Sequence, residues 1–134
     1  MGVSTWRRRG SGPAFWVALL LLARPAGAGT ADALDVKASC EGERCHFAVT
    51  VRHDDTGWDH YANGFEVLDP EGRVLATRVL RHPHVDEQPF TRSLDAKIPL
   101  SVTRVSVRVR DSRHGYGGEQ QEVTLERASK PASP

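Results

Sequence analysis

The chain has 134 residues, 26% of them charged and 39% hydrophobic, with eighteen Lys and Arg against seventeen Asp and Glu. Four of the basic residues precede position 29, so beyond it fourteen basic side chains face seventeen acidic ones, a net charge of −3. That balance excludes a nucleic-acid partner, which needs concentrated positive charge, and the remaining length suits one ordinary domain.

At the amino end, Arg7, Arg8 and Arg9 precede an apolar run, Ala14 to Ala23, then Pro25 and Ala26-Gly27-Ala28. A positive region, a short apolar core and an A-x-A site make a secretory signal peptide over residues 1–28. The run is about half the ~20 residues that a bilayer-spanning helix needs. Cleavage is expected after Ala28, with Ala33 as the alternative site, and no membrane anchor is expected once the leader is removed. No cysteine stands at the cut to carry lipid. The mature protein is therefore expected to be exported, either periplasmic or secreted outside the cell. Its two cysteines, Cys40 and Cys45, are expected to form a structural disulfide in that oxidising compartment.

Beyond the leader, apolar residues alternate with polar ones in short runs separated by turn signals, an all-β pattern. Leu34 to Cys40 and Cys45 to Val51 read as two strands meeting at a turn around Gly42. His60 to Leu68 is the third, with Tyr61, Phe65 and Val67 expected inside. Asp69-Pro70-Glu71-Gly72 is a tight turn, proline setting one dihedral and glycine permitting positive φ. A fourth strand covers Arg73 to Leu80 and a fifth Phe90 to Leu94. The sixth is the clearest, with Val105, Val107 and Val109 inward and Arg104, Arg108 and Arg110 outward. Those arginines are expected to pair with Glu122 and Glu126 on the seventh, Gln121 to Glu126. Residues 128–134 read as a disordered tail.

The strand rhythm of residues 34–127, with the long sixth strand and the loop Arg113-His114-Gly115-Tyr116-Gly117-Gly118 after it, resembles the immunoglobulin and fibronectin type III superfamily. The resemblance implies a seven-stranded antiparallel immunoglobulin-like β-sandwich, without the inter-sheet cysteine pair and core tryptophan of antibody domains. The stretch His82-Pro83-His84-Val85-Asp86-Glu87-Gln88-Pro89-Phe90 is also similar to small exported bacterial proteins of unassigned function. Neither resemblance implies an activity, because a fold does not carry one.

If successive strands reverse direction, the links between strands two and three, four and five, and six and seven share one end. Five of the six histidines fall there: His53, His60, His82, His84 and His114. Imidazole suits copper, zinc or nickel, and carboxylates can complete such a set. The spacing of His82, His84 and Asp86 puts them on one face of an extended segment, with His53, His60 or His114 closing the site across the loops. No cofactor is demanded by any motif.

The rival reading is a metal-free module that recognises a protein or small ligand through Trp58 and Tyr116, aromatics on the same loops. Trp58 is read first as a plug for the end of the core. The aspartates Asp54, Asp55 and Asp59 lack calcium-loop spacing and read as turn formers. Ser112, His114 and Asp111 crowd one loop without a legible nucleophile turn or oxyanion arrangement, so no enzyme is expected.

Overall fold

A computed structural model describes residues 29–128, together with Gly2, Gly10 and Gly12. The expected leader, those glycines apart, and residues 129–134 of the expected tail lie outside the described residues. Eight strands follow one another: β1 (Asp32–Glu41), β2 (Arg44–Arg52), β3 (Ala62–Leu68), β4 (Val74–Val79), β5 (Phe90–Lys97), β6 (Arg104–Asp111), β7 (Gln121–Thr124) and β8 (Arg127–Ala128). The described residues contain no helix. Two four-stranded sheets face each other, ordered β5-β2-β1-β8 and β4-β3-β6-β7. All strand pairs are antiparallel except β1 with β8.

Period-two patterning explains the layers. Cys45, Phe47, Val49 and Val51 of β2 are fully buried, and Val105, Val107 and Val109 of β6 face them from the other sheet at 1% exposure or less. Phe65 and Val67 complete the middle. Tyr61, expected inside, is instead half-buried and packs edge-on against Trp58. At the β1–β2 end, Cys40 and Cys45 stand opposite one another and are bonded.

The count of eight strands corrects the expected seven. Arg127 and Ala128 pair in parallel with Cys40 and Glu41, so Ala128 belongs to a sheet edge rather than to a tail. The cause is the Arg127 guanidinium, which donates to the carbonyls of Gly42, Ile98, Pro99 and Val102. The opposite end of the chain is also structured earlier than expected: Ala31 and Ala33 are fully buried.

The Asp69 turn forms as expected, and its carboxylate accepts from the amides of Glu71 (3.0 Å) and Arg73 (2.8 Å) and from Arg73 Nε (2.9 Å). The arginine stripe behaves differently from expectation at one position. Arg104 pairs with Glu122 of β7 at 2.8 Å, but Arg108 turns to Glu66 on the other flank. Strand β6 lies between β3 and β7, so carboxylates are offered from both sides.

Phe65 sits at 0% exposure in the centre of the sandwich. Phe65→Ala should lower the unfolding free energy by about 3–5 kcal/mol, the range for a buried phenylalanine truncation. Val74→Ala, at an exposed position, should stay within about 0.5 kcal/mol. Urea unfolding checks both, and a Phe65→Ala loss below about 1 kcal/mol would contradict this core.

Candidate metal centre

The β2–β3, β4–β5 and β6–β7 connections meet at one end of the sandwich, joined there by residues 29–31. Two buried aspartates organise them. Asp55, in the β2–β3 loop, accepts at Oδ1 from His53 Nδ1 (2.5 Å) and from the Ala62 amide (3.0 Å), and at Oδ2 from the His84 amide (2.7 Å). One carboxylate thus fixes the end of β2, the start of β3 and the β4–β5 loop. Gln88 reinforces the join, accepting from the His53 amide and donating to the His84 carbonyl, each at 3.0 Å.

Asp111, the last residue of β6, has a side chain with 0% exposure. Its Oδ1 accepts from the His114 amide (2.7 Å) and the Arg113 amide (2.9 Å), and lies 3.0 Å from His114 Nδ1 and 3.1 Å from His60 Nε2. Burial pushes its carboxyl pKa up, but the two amides and His114 outweigh that and hold it below the usual range. The acid is therefore ionised at neutral pH. Its second oxygen, Oδ2, is buried without a hydrogen-bond partner.

Around Asp111 the donors converge. His53, His60 and Asp111 each bring a ligand atom to within 4.8 Å of the others. The two imidazole Nε2 atoms are 3.3 Å apart, and the Gly29 carbonyl oxygen lies 3.1 Å from that of His60 and 3.3 Å from that of His53. Ligands placed tetrahedrally at 2.0–2.1 Å from a metal are about 3.3–3.4 Å apart. The observed separations are close to that spacing. Asp55, by accepting a hydrogen bond from His53 Nδ1–H, leaves the Nε2 lone pair directed at the cluster, the carboxylate–histidine arrangement that orients metal ligands.

The expected residues divide. His60 is in the cluster, and His114 borders it, its ring 4.9 Å from that of His60. His82, His84 and Asp86 do not join it. His82 and Asp86 are exposed. His84 is buried, its ring stacked on Phe90 at 3.9 Å, and its Nε2 accepts from Arg92 at 2.9 Å. The guanidinium thus occupies Nε2, while Nδ1 is buried without a hydrogen-bond partner. Burial first, then the charges of Arg92 and His82, lower the His84 pKa.

Trp58 is 70% exposed, so it does not plug the core. Tyr116 is partly covered by Arg108, whose guanidinium carbon stands 4.1 Å from the ring centre. Burial and the Glu66 carboxylate raise its phenol pKa. Ser112 is used to join loops, its Oγ accepting from the Tyr61 amide and its own amide donating to the Tyr61 carbonyl.

Asp111 is not among the expected ligands, and His53 is only one of three residues expected to close the site, yet a signal for each is present. Position 53 continues the inward parity of 45, 47, 49 and 51, and position 111 that of 105, 107 and 109. Both are 2% exposed. Polar residues that extend an inward series at a strand end were the missed pointer.

A protein of Halomicrobium mukohataei bearing the name "Putative lipoprotein" is 41% identical to this chain over 97 residues, which cover 72% of the chain and 48% of that protein. The chain thus spans about half the length of the curated relative it matches. No family model matches the chain, and no solved structure matches it.

The lowered His84 pKa has a direct consequence. An unfolded histidine takes up a proton near pH 6.5 while the folded one resists, so acidification below about that pH favours unfolding. Proton NMR of the His84 ring should show a midpoint below 6.5. A midpoint at or above it would contradict the Arg92-capped, buried environment.

Proposed function

We propose that this chain is an exported, non-enzymatic accessory protein that binds a divalent first-row ion (copper, zinc or nickel) through His53 Nε2, His60 Nε2 and the Asp111 carboxylate. The observation carrying this reading is the convergence of those three donors beside a buried carboxylate oxygen that has no protein partner. A purely hydrogen-bonded cluster accounts for less of it. With His53 Nδ1–H committed to Asp55, a single Nε2 proton on His60 can serve Asp111, His53 or Gly29, and Asp111 Oδ2 is still left over. One cation answers all the lone pairs at once.

Export is supported by the residue 1–28 signal pattern and by the printed name of the Halomicrobium relative. The sheet order β5-β2-β1-β8 against β4-β3-β6-β7 supports an immunoglobulin-like arrangement for the sandwich, with the first, second and fifth strands together. The net charge of −3 beyond residue 28 disfavours nucleic acid.

A recognition role for the same end is the second reading, favoured by one observation: Trp58 stands 70% exposed, braced by Tyr61 at 5.7 Å. An exposed, braced aromatic suits a protein or small-ligand contact. The two roles are separable by residue.

The test is metal content and thermal unfolding of the untagged mature protein with zinc, copper or nickel, against a chelator. An ion at one hundred times its dissociation constant should stabilise the fold by about 2.7 kcal/mol. His60→Ala should remove the shift, whereas His82→Ala and Trp58→Ala should keep it. Absence of both bound metal and any shift would overturn the metal reading, and survival of the shift in His60→Ala would move the site elsewhere.

A further inference from the structure

One group in the cluster belongs to no side chain. The Gly29 carbonyl oxygen is 3.1 Å from His60 Nε2 and 3.3 Å from His53 Nε2, as close to the two imidazoles as they are to each other. Gly29 is also the residue directly after Ala26-Gly27-Ala28, the A-x-A site at which the leader is expected to be cut. Building on the metal site proposed above, we infer that Gly29 is a ligand residue: its carbonyl, with the α-amino group released by cleavage after Ala28, completes the centre, so that full metal affinity requires export processing.

The chemistry follows from what cleavage does. Water adds across the Ala28–Gly29 peptide bond under an export peptidase, leaving a carboxylate on the leader and an amine on Gly29. Before cleavage that nitrogen is an amide whose lone pair is delocalised into the carbonyl, and it is a poor ligand. After cleavage, amine nitrogen and carbonyl oxygen of one residue can close a five-membered chelate ring, the amine releasing its proton as the ion binds. Two imidazoles, one amine and oxygen donors form a nitrogen-rich set that suits copper(II).

Three observations place Gly29 for this role. It has φ +92°, a conformation that favours glycine. A Cβ there would come 2.8 Å from His114 Cε1, so the position has no room for a side chain while His114 stays on Asp111. The following residues are pinned: the Ala33 amide donates to the Glu119 carbonyl (2.9 Å), and the Glu119 amide to Asp32 Oδ1 (2.7 Å). A Cβ at Gly118 would come 1.9 Å from the Ala31 carbonyl oxygen, so strand and loop are in close contact. The burial of Ala31 and Ala33 also separates the two expected cleavage sites. Cutting after Ala33 would strip both from the core, whereas cutting after Ala28 leaves the folded part whole.

The experiment secretes the full chain from an export-competent bacterium and determines the first residue of the mature form by intact mass. Its copper(II) affinity and copper EPR spectrum are compared with those of a chain carrying Ala-Ser inserted between Ala28 and Gly29, so that the mature form begins two residues early. Equal melting temperatures without metal establish that both are folded. The mature chain should begin at Gly29, and the extended form should bind copper(II) at least ~10-fold more weakly, a loss of the size that even outer-shell changes produce, with one nitrogen fewer in its spectrum. Equal affinity and identical spectra, with His60→Ala abolishing binding in both, would overturn the role of Gly29 and leave the side-chain site standing. A mature chain starting elsewhere would overturn it too. Failure of both forms to bind copper, zinc or nickel would remove this inference together with the site on which it rests.

Discussion

Two carboxyl groups buried at one end of a β-sandwich are the constraint on which the rest of this molecule depends. Asp55 and Asp111 both have side chains with 0% exposure, and a buried polar group is tolerated only when its surroundings supply partners. Asp55 meets the demand with two backbone amides and an imidazole. Asp111 meets it at one oxygen with two amides and two imidazoles, and at the other oxygen not at all. Leaving a buried donor or acceptor without its partner typically costs about 1–3 kcal/mol, so these residues have strong control over the loops they hold.

That control is what turns separate loops into a site. Asp55 joins three segments distant in sequence, and its grip on His53 Nδ1 decides which ring nitrogen is left free. Asp111 gathers His60 and His114 from different connections. The imidazoles of His53 and His60 approach within 3.3 Å of each other, His53 held from behind at Nδ1 by Asp55 and His60 turned to Asp111 with the same Nε2 that meets His53. Neighbouring His84 shows the contrast: equally buried, it is anchored by a cation through Arg92, and its chemistry is that of a neutral, stacked core ring. The same residue type in the same loops serves two different purposes, set by the sign of the charge beside it.

Most of the fold was legible because alternation is a local property. Cys45 to Val51 and Val105 to Val109 announced both sheets, and the Asp69-Pro70 turn announced itself. The eighth strand was not legible, because Arg127–Ala128 has no pattern of its own and is held by a guanidinium reaching four carbonyls. Sequence could say which end would gather histidines, but not which of them would converge. The regular spacing of His82, His84 and Asp86 suggested a triad only on the assumption of an extended, solvent-facing segment; Phe90 and Arg92 claimed the middle residue instead. His53 and Asp111 could have been singled out from the other loop residues, because each completes an inward-facing series. Gly29 was beyond reach, since its part is played by a backbone oxygen.

Crystals of the secreted mature protein grown with zinc or copper would test the account most directly, through anomalous difference density at the metal edge. The account places one peak within bonding distance of His53 Nε2, His60 Nε2 and the Asp111 carboxylate, with the Gly29 carbonyl beside it. A peak held by His82 and Asp86, or no anomalous density at that end of the sandwich, would contradict it.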